Sequence, residues 1–349
     1  MKDLNLSPIV WCPMYDHILK PYTFGLRTLH DVVMDSSRHV VLQCNSEISL
    51  RHLWTHFQNL SYEKYDKVLR YAHLIKTENP VVIDAGYYIP TYCNFYHTLI
   101  DGIPRAWGAF EDKTHDLIMC QNNLDAFKGL RAVVENWLPR NSLSTYTVDP
   151  KFAVLPDGST TYGTTNRLHA KKLSYFSVLD VGKDDARVVN RRLAVALWQK
   201  YANEHWETKP PRRRLFVGRL KNYNLTQRCA NQVDLAAFLK RRHGFELWCT
   251  EDHNLIENAK AFREAKVIVG VHGAALSHLA FCSPETKFVH LTHKNKSEHF
   301  FNCICDFANV RRKSVYGINP KIGKIATDPT VLFEVSKANV VKAITELLK

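Results

Sequence analysis

Apolar and polar positions separate along this chain into short β-branched runs and longer stretches at helical spacing. Val40–Gln43, Pro80–Ala85 (PVVIDA), Asp116–Cys120 and Phe152–Leu155 read as strands. The second is read as buried and ended by a turn at Gly86, and the fourth as closed by Pro156-Asp157-Gly158. Leu50–Ile75, Phe127–Trp137 and Asp184–His205 carry apolar residues at helical intervals. Thr208–Arg213 (TKPPRR) is the clearest linker. Beyond it the alternation becomes regular. Strand Arg214–Val217 leads to helix Gln232–Arg242, which Gly244 stops; strand Phe245–Trp248 leads to helix Leu255–Ala265. Strands Val267–Val269 and Phe288–Leu291 follow, and an amphipathic helix, Ser336–Leu348, ends the chain.

This alternation predicts α/β architecture with a parallel sheet covered on both faces, the first half being similar but less regular. The expected domains are 1–207 and 208–349, with the last helix a candidate to pack back on the first. Ligands of such sheets sit outside the carboxyl ends of the strands. Gly218-Arg219 and Gly270–Gly273 both fall there.

The stretch Val267–Phe281, VIVGVHGAALSHLAF, reads as strand, tight turn between Gly270 and Gly273, and helix start at Ala274 and Ala275. Glycines let a backbone approach a ligand, and amides of a first helical turn face an anion such as a nucleotide phosphate. Close strand–helix packing needs small residues equally, so both readings stand at this point. Asn94–Phe110 reads as a helix with His97, Asp101 and Arg105 in one line and Leu99, Ile100, Ile103 and Trp107 turned to a core; Pro104 kinks or ends it. That line is either a solvated set of ion pairs or an acid/base group in a cleft.

Composition narrows the class. At 349 residues, with about 150 per domain as a guide, two cores are expected. Hydrophobic content is 45% and charged content 23%, as in ordinary globular proteins. The net charge of +13 suits nucleic acid, an anionic membrane surface or an anionic substrate. The basic clusters Lys209–Arg214, Lys240–His243 and Arg311–Lys313 also fit solvated faces. Nine scattered cysteines fit reduced thiols. The polar start and the lack of an apolar run near the ~20 residues that span a bilayer give a cytoplasmic expectation.

Three segments carry a family resemblance. NFYHTLIDGIPRAW resembles the N-Y-Y-H-W-x-x-D-x-x-P-R-L motif of glycosyltransferase family 61. RRLFVGRLKNYNLTQRCANQVDLAAFLKRRHGFEL resembles its second block, with Arg219, Arg228 and Asn231 matching and Gln232 in place of Glu. CTEDHNLIENAKAFREAKVIVGVHGAALSHLAF resembles its third, with His272, Gly273, Ala274 and Leu276 matching, His278 in place of Asn, and Glu257-Asn258 in place of Glu-Gln. Val289-His290-Leu291 stands where the family commonly has a V-I-E-L run. The resemblance covers about Tyr87–Phe307.

It implies a GT-B fold, two Rossmann-like domains facing across a cleft, and an inverting, metal-independent transfer from a UDP-sugar of the GlcNAc or xylose class. The implied partners are the nucleotide sugar and a glycan or lipid-linked glycan acceptor, with peripheral membrane contact through the basic clusters and no nucleic acid. No metal or other cofactor is expected, and the sequence has no D-x-D. His97 and Asp101 are then candidates for the base. Arg219, Arg228, Asn231, Glu257, Gly270, His272, Gly273, Ala274 and Ala275 are candidates for the donor site, with open alternatives for three. His272 could hydrogen-bond its loop, Glu257 could cap a helix, and Asn231 could be a structural hydrogen-bonder. Arg105 binds a phosphate or pairs with Asp101. The competing classes are a non-catalytic nucleotide- or nucleic-acid-binding protein, and a dehydrogenase, which would want a G-x-G-x-x-G that is absent.

Overall fold

The computed structural model describes residues 23–35, 40–43, 81–89, 95–106, 116–119, 128–137, 150–154, 160–164, 167–179, 186–207, 209–218, 228–295, 298–328 and 331–349. The helix expected over Leu50–Ile75 lies outside them. The chain divides into two compact units. One comprises Met1–Cys93, His97–Ala126 and Arg131–Asn190; the other comprises Asn94–Tyr96, Phe127–Leu130 and Arg191–Lys349. Residues 208–213, read as a linker, lie within the second unit.

In the first unit the strands are β1 (Thr23–Asp35), β2 (Val40–Gln43), β3 (Val81–Ile89), β4 (Asp116–Met119), β5 (Pro150–Val154), β6 (Thr160–Thr164) and β7 (Arg167–Leu179). Five of them form one sheet in the order β2-β1-β7-β3-β4. β1 runs antiparallel to both its neighbours, while β7, β3 and β4 run parallel. The expected parallel, Rossmann-like sheet is therefore corrected to a mixed one. Strand direction depends on which distant segment pairs with which, and the long β1–β7 pairing has no local signal. Gly86 does not turn the chain: it lies inside β3, opposite Asp116 and Leu173. Nor is β3 buried on both faces, since Val82 and Asp84 are exposed. Asp84 instead meets Lys171 of β7 at 2.7 Å, and the ammonium lowers its carboxyl pKa.

Of the helix expected over Asn94–Phe110, the described residues 95–106 are no plain helix. Phe95 and Tyr96 open an α turn, His97–Gly102 winds as π-helix, and Ile103–Ala106 follows as a 3-10 turn through Pro104. The apolar residues Leu99, Ile100 and Ile103 are buried, as their spacing required. Helix α1 is Leu130–Trp137.

The longest segment of the second unit begins within helix α2 (Ala186–His205). Its strands are β8 (Arg213–Val217), β9 (Glu246–Trp248), β10 (Ala265–Val271), β11 (Lys287–Thr292) and β12 (Arg311–Tyr316). The order is β12-β11-β10-β8-β9, every neighbouring pair parallel. Numbered along this sheet alone, that is 2-1-3-4-5, a doubly wound order. Helices α3 (Gln232–His243), α4 (Leu255–Arg263), a 3-10 helix (Ala274–Phe281), α5 (Glu298–Phe307) and α6 (Lys337–Leu348) alternate with the strands.

Both sheet faces are covered, which is why β10 reads as an unbroken apolar run. Val267, Val269 and Val271 join Phe216, Val289 and Leu291 in a core closed by Leu235 and Leu239 of α3. Val340, Ala343, Ile344 and Leu347 of α6 enter the same core. The last helix thus packs on its own unit's sheet, and each fully buried aliphatic side chain there contributes about 1.5–3 kcal/mol. On the opposite face Ile268, Phe288 and His290 are buried too.

Helix ends follow the sequence closely. Gly244 closes α3 in the left-handed region, at φ 67°. Asn254 and Glu257 form a reciprocal capping box at the start of α4. Several elements had no expectation, among them β1, β6, β7, α5 and β12. β12 is an edge strand made of the basic cluster Arg311–Lys313, a composition that discourages pairing with other edges. Arg312 pairs with Asp306 and Lys313 with Glu346, while Lys240–Arg242 stand exposed in the last turn of α3, where the helix dipole favours cations. Among the described residues no helix is long and apolar enough to cross a membrane.

Candidate functional site

The sheet order of the second unit reverses between β8 and β10, adjacent parallel strands. The helix after β8, α3, packs on one face. The 3-10 helix after β10 packs on the other, through Leu276 against Gly270. Chain leaving two neighbouring strands for opposite faces opens a crevice at their carboxyl ends, where such sheets bind ligands. Gly218 stands there after β8, with Arg219, the next residue, outside the described set. His272 and Gly273 stand there after β10.

From Gly273 the chain enters the 3-10 helix. Leu276 N–H donates to the Gly273 carbonyl at 3.0 Å, Ser277 Oγ to Ala274 O, and His278 Nδ1 to Ala275 O. The N–H groups of Ala274 and Ala275 have no hydrogen-bond acceptor among the described residues, and both residues are half-buried. That is the arrangement by which a helix start holds an anion.

Gly270 is not part of that cradle. It lies inside β10, between Val217 and His290 in the sheet register, so the tight turn expected between Gly270 and Gly273 is corrected to strand through Val271, followed by His272 and Gly273. A Cβ at Gly270 would come within 2.5 Å of Leu276 Cδ2 and 3.2 Å of Phe288. The glycine is needed for packing beneath the site.

His272 is buried, and its backbone N–H donates to Leu291 O at 2.9 Å. Its Nδ1 lies 3.1 Å from His290 Nε2 and 3.4 Å from Thr292 Oγ1, and the two imidazoles stack with centroids 5.1 Å apart. Phe301 of α5 sets its edge or face against both rings, 5.0 Å from His272 and 5.6 Å from His290. Burial pushes the His290 pKa well below the ordinary histidine value, helped by His272 and Arg312. Burial likewise holds His278 at about 4, against Phe262 and stacked on Phe95 at 4.9 Å.

Tyr96 packs on the same Phe301, with ring centroids 5.6 Å apart, and its hydroxyl accepts from the buried Arg191 Nε at 3.1 Å. The tripeptide Asn94–Tyr96 therefore belongs to the second unit, and one phenylalanine carries both it and His272. His97 is the next residue in the chain. Within the first unit, His97 Nδ1 lies 2.7 Å from Asp101 Oδ2. Asp101 is buried and His97 half-buried, and Asp101 Oδ1 has no partner among the described residues. A histidine oriented by a buried carboxylate can take a proton from a hydroxyl. The side chain of Arg105 lies outside the described residues.

Two donor-site candidates are engaged otherwise. The Asn231 amide spans the backbone of Val335, with Nδ2 donating to its carbonyl at 2.8 Å and Oδ1 accepting from its N–H at 3.1 Å. Glu257 Oε2 accepts from Asn254 N–H at 2.8 Å and completes the capping box. These are the structural alternatives that the sequence left open. Arg228, which accepts from Phe333 N–H through its carbonyl, is half-buried just before that clamp. Among the described residues no three His, Cys, Asp or Glu side chains gather as metal ligands, and the five described cysteines are free and buried.

Sequence reasoning did not assign His290, Thr292, Phe301 or Arg191. Phe288, His290 and Thr292 alternate along one strand face, a signal for the first two; Phe301 and Arg191 reach the site through helix packing that spacing does not show. A family model described as Glycosyltransferase 61 matches residues 95–289, more than half of the chain. No curated protein matches it.

Proposed function

The chain belongs to glycosyltransferase family 61 and is a glycosyltransferase, and from that premise we propose that it moves a sugar from a UDP-sugar, with inversion and without a metal, to a hydroxyl of a growing surface glycan. The observation that carries this reading is the shared packing of Tyr96 and His272 on Phe301. It joins the segment leading into His97 to the strand end that precedes the Ala274–Phe281 helix.

In this reading the donor nucleotide lies on the second unit, the doubly wound one, and the acceptor on the first. The donor diphosphate lies at the carboxyl ends of β8 and β10. Amides of Ala274 and Ala275, with Arg219 and Arg228, neutralise charge that develops on the departing UDP. His97 takes the proton of the acceptor hydroxyl as that oxygen attacks C1, and Asp101 holds the imidazole and stabilises the imidazolium that forms. The oxygen–C1 bond forms as the C1–phosphate oxygen bond breaks, the electron pair leaving with UDP. GlcNAc and xylose are the sugar classes favoured by the family.

Proton NMR of the initial product from an α-linked UDP-sugar tests this. A β-linked product is expected. An α-linked product overturns the inverting role of His97.

A further inference from the structure

We propose that His290 is a positioning residue: its Nε2–H donates to Nδ1 of His272 and fixes His272 in the tautomer that carries hydrogen on Nε2. This rests on the donor-site reading above, in which His272 stands beside the diphosphate.

Two neutral imidazole nitrogens 3.1 Å apart share a single hydrogen. If His272 Nδ1 supplied it, His290 would carry its own hydrogen on Nδ1. That atom is buried and has no partner among the described residues. A buried N–H without an acceptor is rarer and worse tolerated than a buried acceptor without a donor. If His290 Nε2 supplies the hydrogen, its Nδ1 is a bare acceptor and no N–H is stranded. Thr292 Oγ1, 3.4 Å from the same Nδ1 of His272, can then donate to it as well.

The surroundings hold this arrangement in place. His290 is fully buried in β11, stacked with Phe288 at 5.3 Å and met edge-on by Phe301. Burial, with His272 and Arg312 acting in the same direction, lowers the His290 pKa and disfavours its charged form. His272 is anchored independently by its backbone bond to Leu291 O. An imidazole committed to hydrogen on Nε2 is a hydrogen-bond donor at that atom, the polarity that a phosphate oxygen requires.

The test uses the full chain labelled with 15N-histidine, as wild type, His290→Gln, His290→Leu and His272→Gln, the last to assign resonances. Long-range 1H–15N correlation reads the tautomer without ligand, and calorimetric titration with UDP in EDTA reads binding. The expected wild-type spectrum shows His272 protonated on Nε2 and bare on Nδ1. His290→Leu is expected to lose that single tautomer and to bind UDP roughly tenfold or more weakly, the size of one lost charge-assisted hydrogen bond. His290→Gln, whose amide N–H reaches a similar place, is expected to keep the tautomer and most of the affinity, which separates orientation from loss of fold. Wild-type His272 with hydrogen on Nδ1, or a His290→Leu protein with unchanged tautomer and UDP affinity, overturns the inference. Wild-type protein with the expected tautomer but no UDP binding overturns the donor-site reading instead.

Discussion

His97 Nδ1 lies 2.7 Å from Asp101 Oδ2 across a turn of π-helix. Single π turns are uncommon and recur at functional sites. A neutral His97 that donates to this carboxylate from Nδ1 has a bare Nε2, the state a general base needs. His97→Ala is expected to lower kcat roughly 10²–10⁴-fold while leaving UDP affinity unchanged. Asp101→Asn keeps an acceptor for Nδ1–H and is expected to cost less. Equal kcat in wild type and His97→Ala, measured by UDP release in the presence of acceptor, contradicts the assignment.

The Asn231 clamp and the Glu257 cap predict stability effects instead of donor effects. Asn231→Leu strands both backbone groups of Val335 and is expected to cost about 1–3 kcal/mol. Glu257→Gln should change stability by less than about 1 kcal/mol, since the capping-box bond survives in weaker form. Arg228→Ala is expected to do the reverse, raising the donor KM with little change in urea midpoint. Parallel denaturation and donor kinetics separate the two groups.

Gly270→Ala should destabilise by about 1–3 kcal/mol through overpacking against Leu276. The strain falls on the residue that fixes the start of the 3-10 helix, so donor binding should weaken with stability. Gly270→Ala combined with Leu276→Ala is expected to recover part of the loss, a coupling that a double-mutant cycle measures.

These particulars show what was legible in the chain. The alternation after Arg213, the Gly244 stop and the carboxyl-edge placement of Gly218 and Gly273 were all readable, because period and turn chemistry are local. The β1–β7 antiparallel pairing was not, because nothing near either strand encodes its partner. Strand β12 was hidden by charge: an edge strand written RRKSVY resembles a solvated cluster. Gly270 was ambiguous in sequence because close packing and ligand approach ask for the same missing Cβ. The His272–His290 contact joins residues 18 apart through strand register, which spacing alone does not give.

Stability should fall on mild acidification. His278 is fully buried, and its pKa lies at about 4 against an ordinary 6.5. Between those values the unfolded chain takes up a proton that the native protein refuses. The stability is fully present above pH 6.5 and is lost as pH falls towards 4. The loss from this residue amounts to about 3 kcal/mol. His290, lowered in the same direction, adds to the slope. Thermal melts of wild type and His278→Asn from pH 7.5 to 4.5 check this; the variant should show the shallower dependence.

The most direct measurement incubates the full-length chain with a panel of nucleotide sugars in EDTA and follows both melting temperature and nucleotide release. The expected result is a rise in melting temperature with UDP, and release of UDP from one UDP-sugar at a rate that EDTA leaves unchanged. Absence of any shift with UDP or UDP-sugars, or release that stops when EDTA is added, contradicts it.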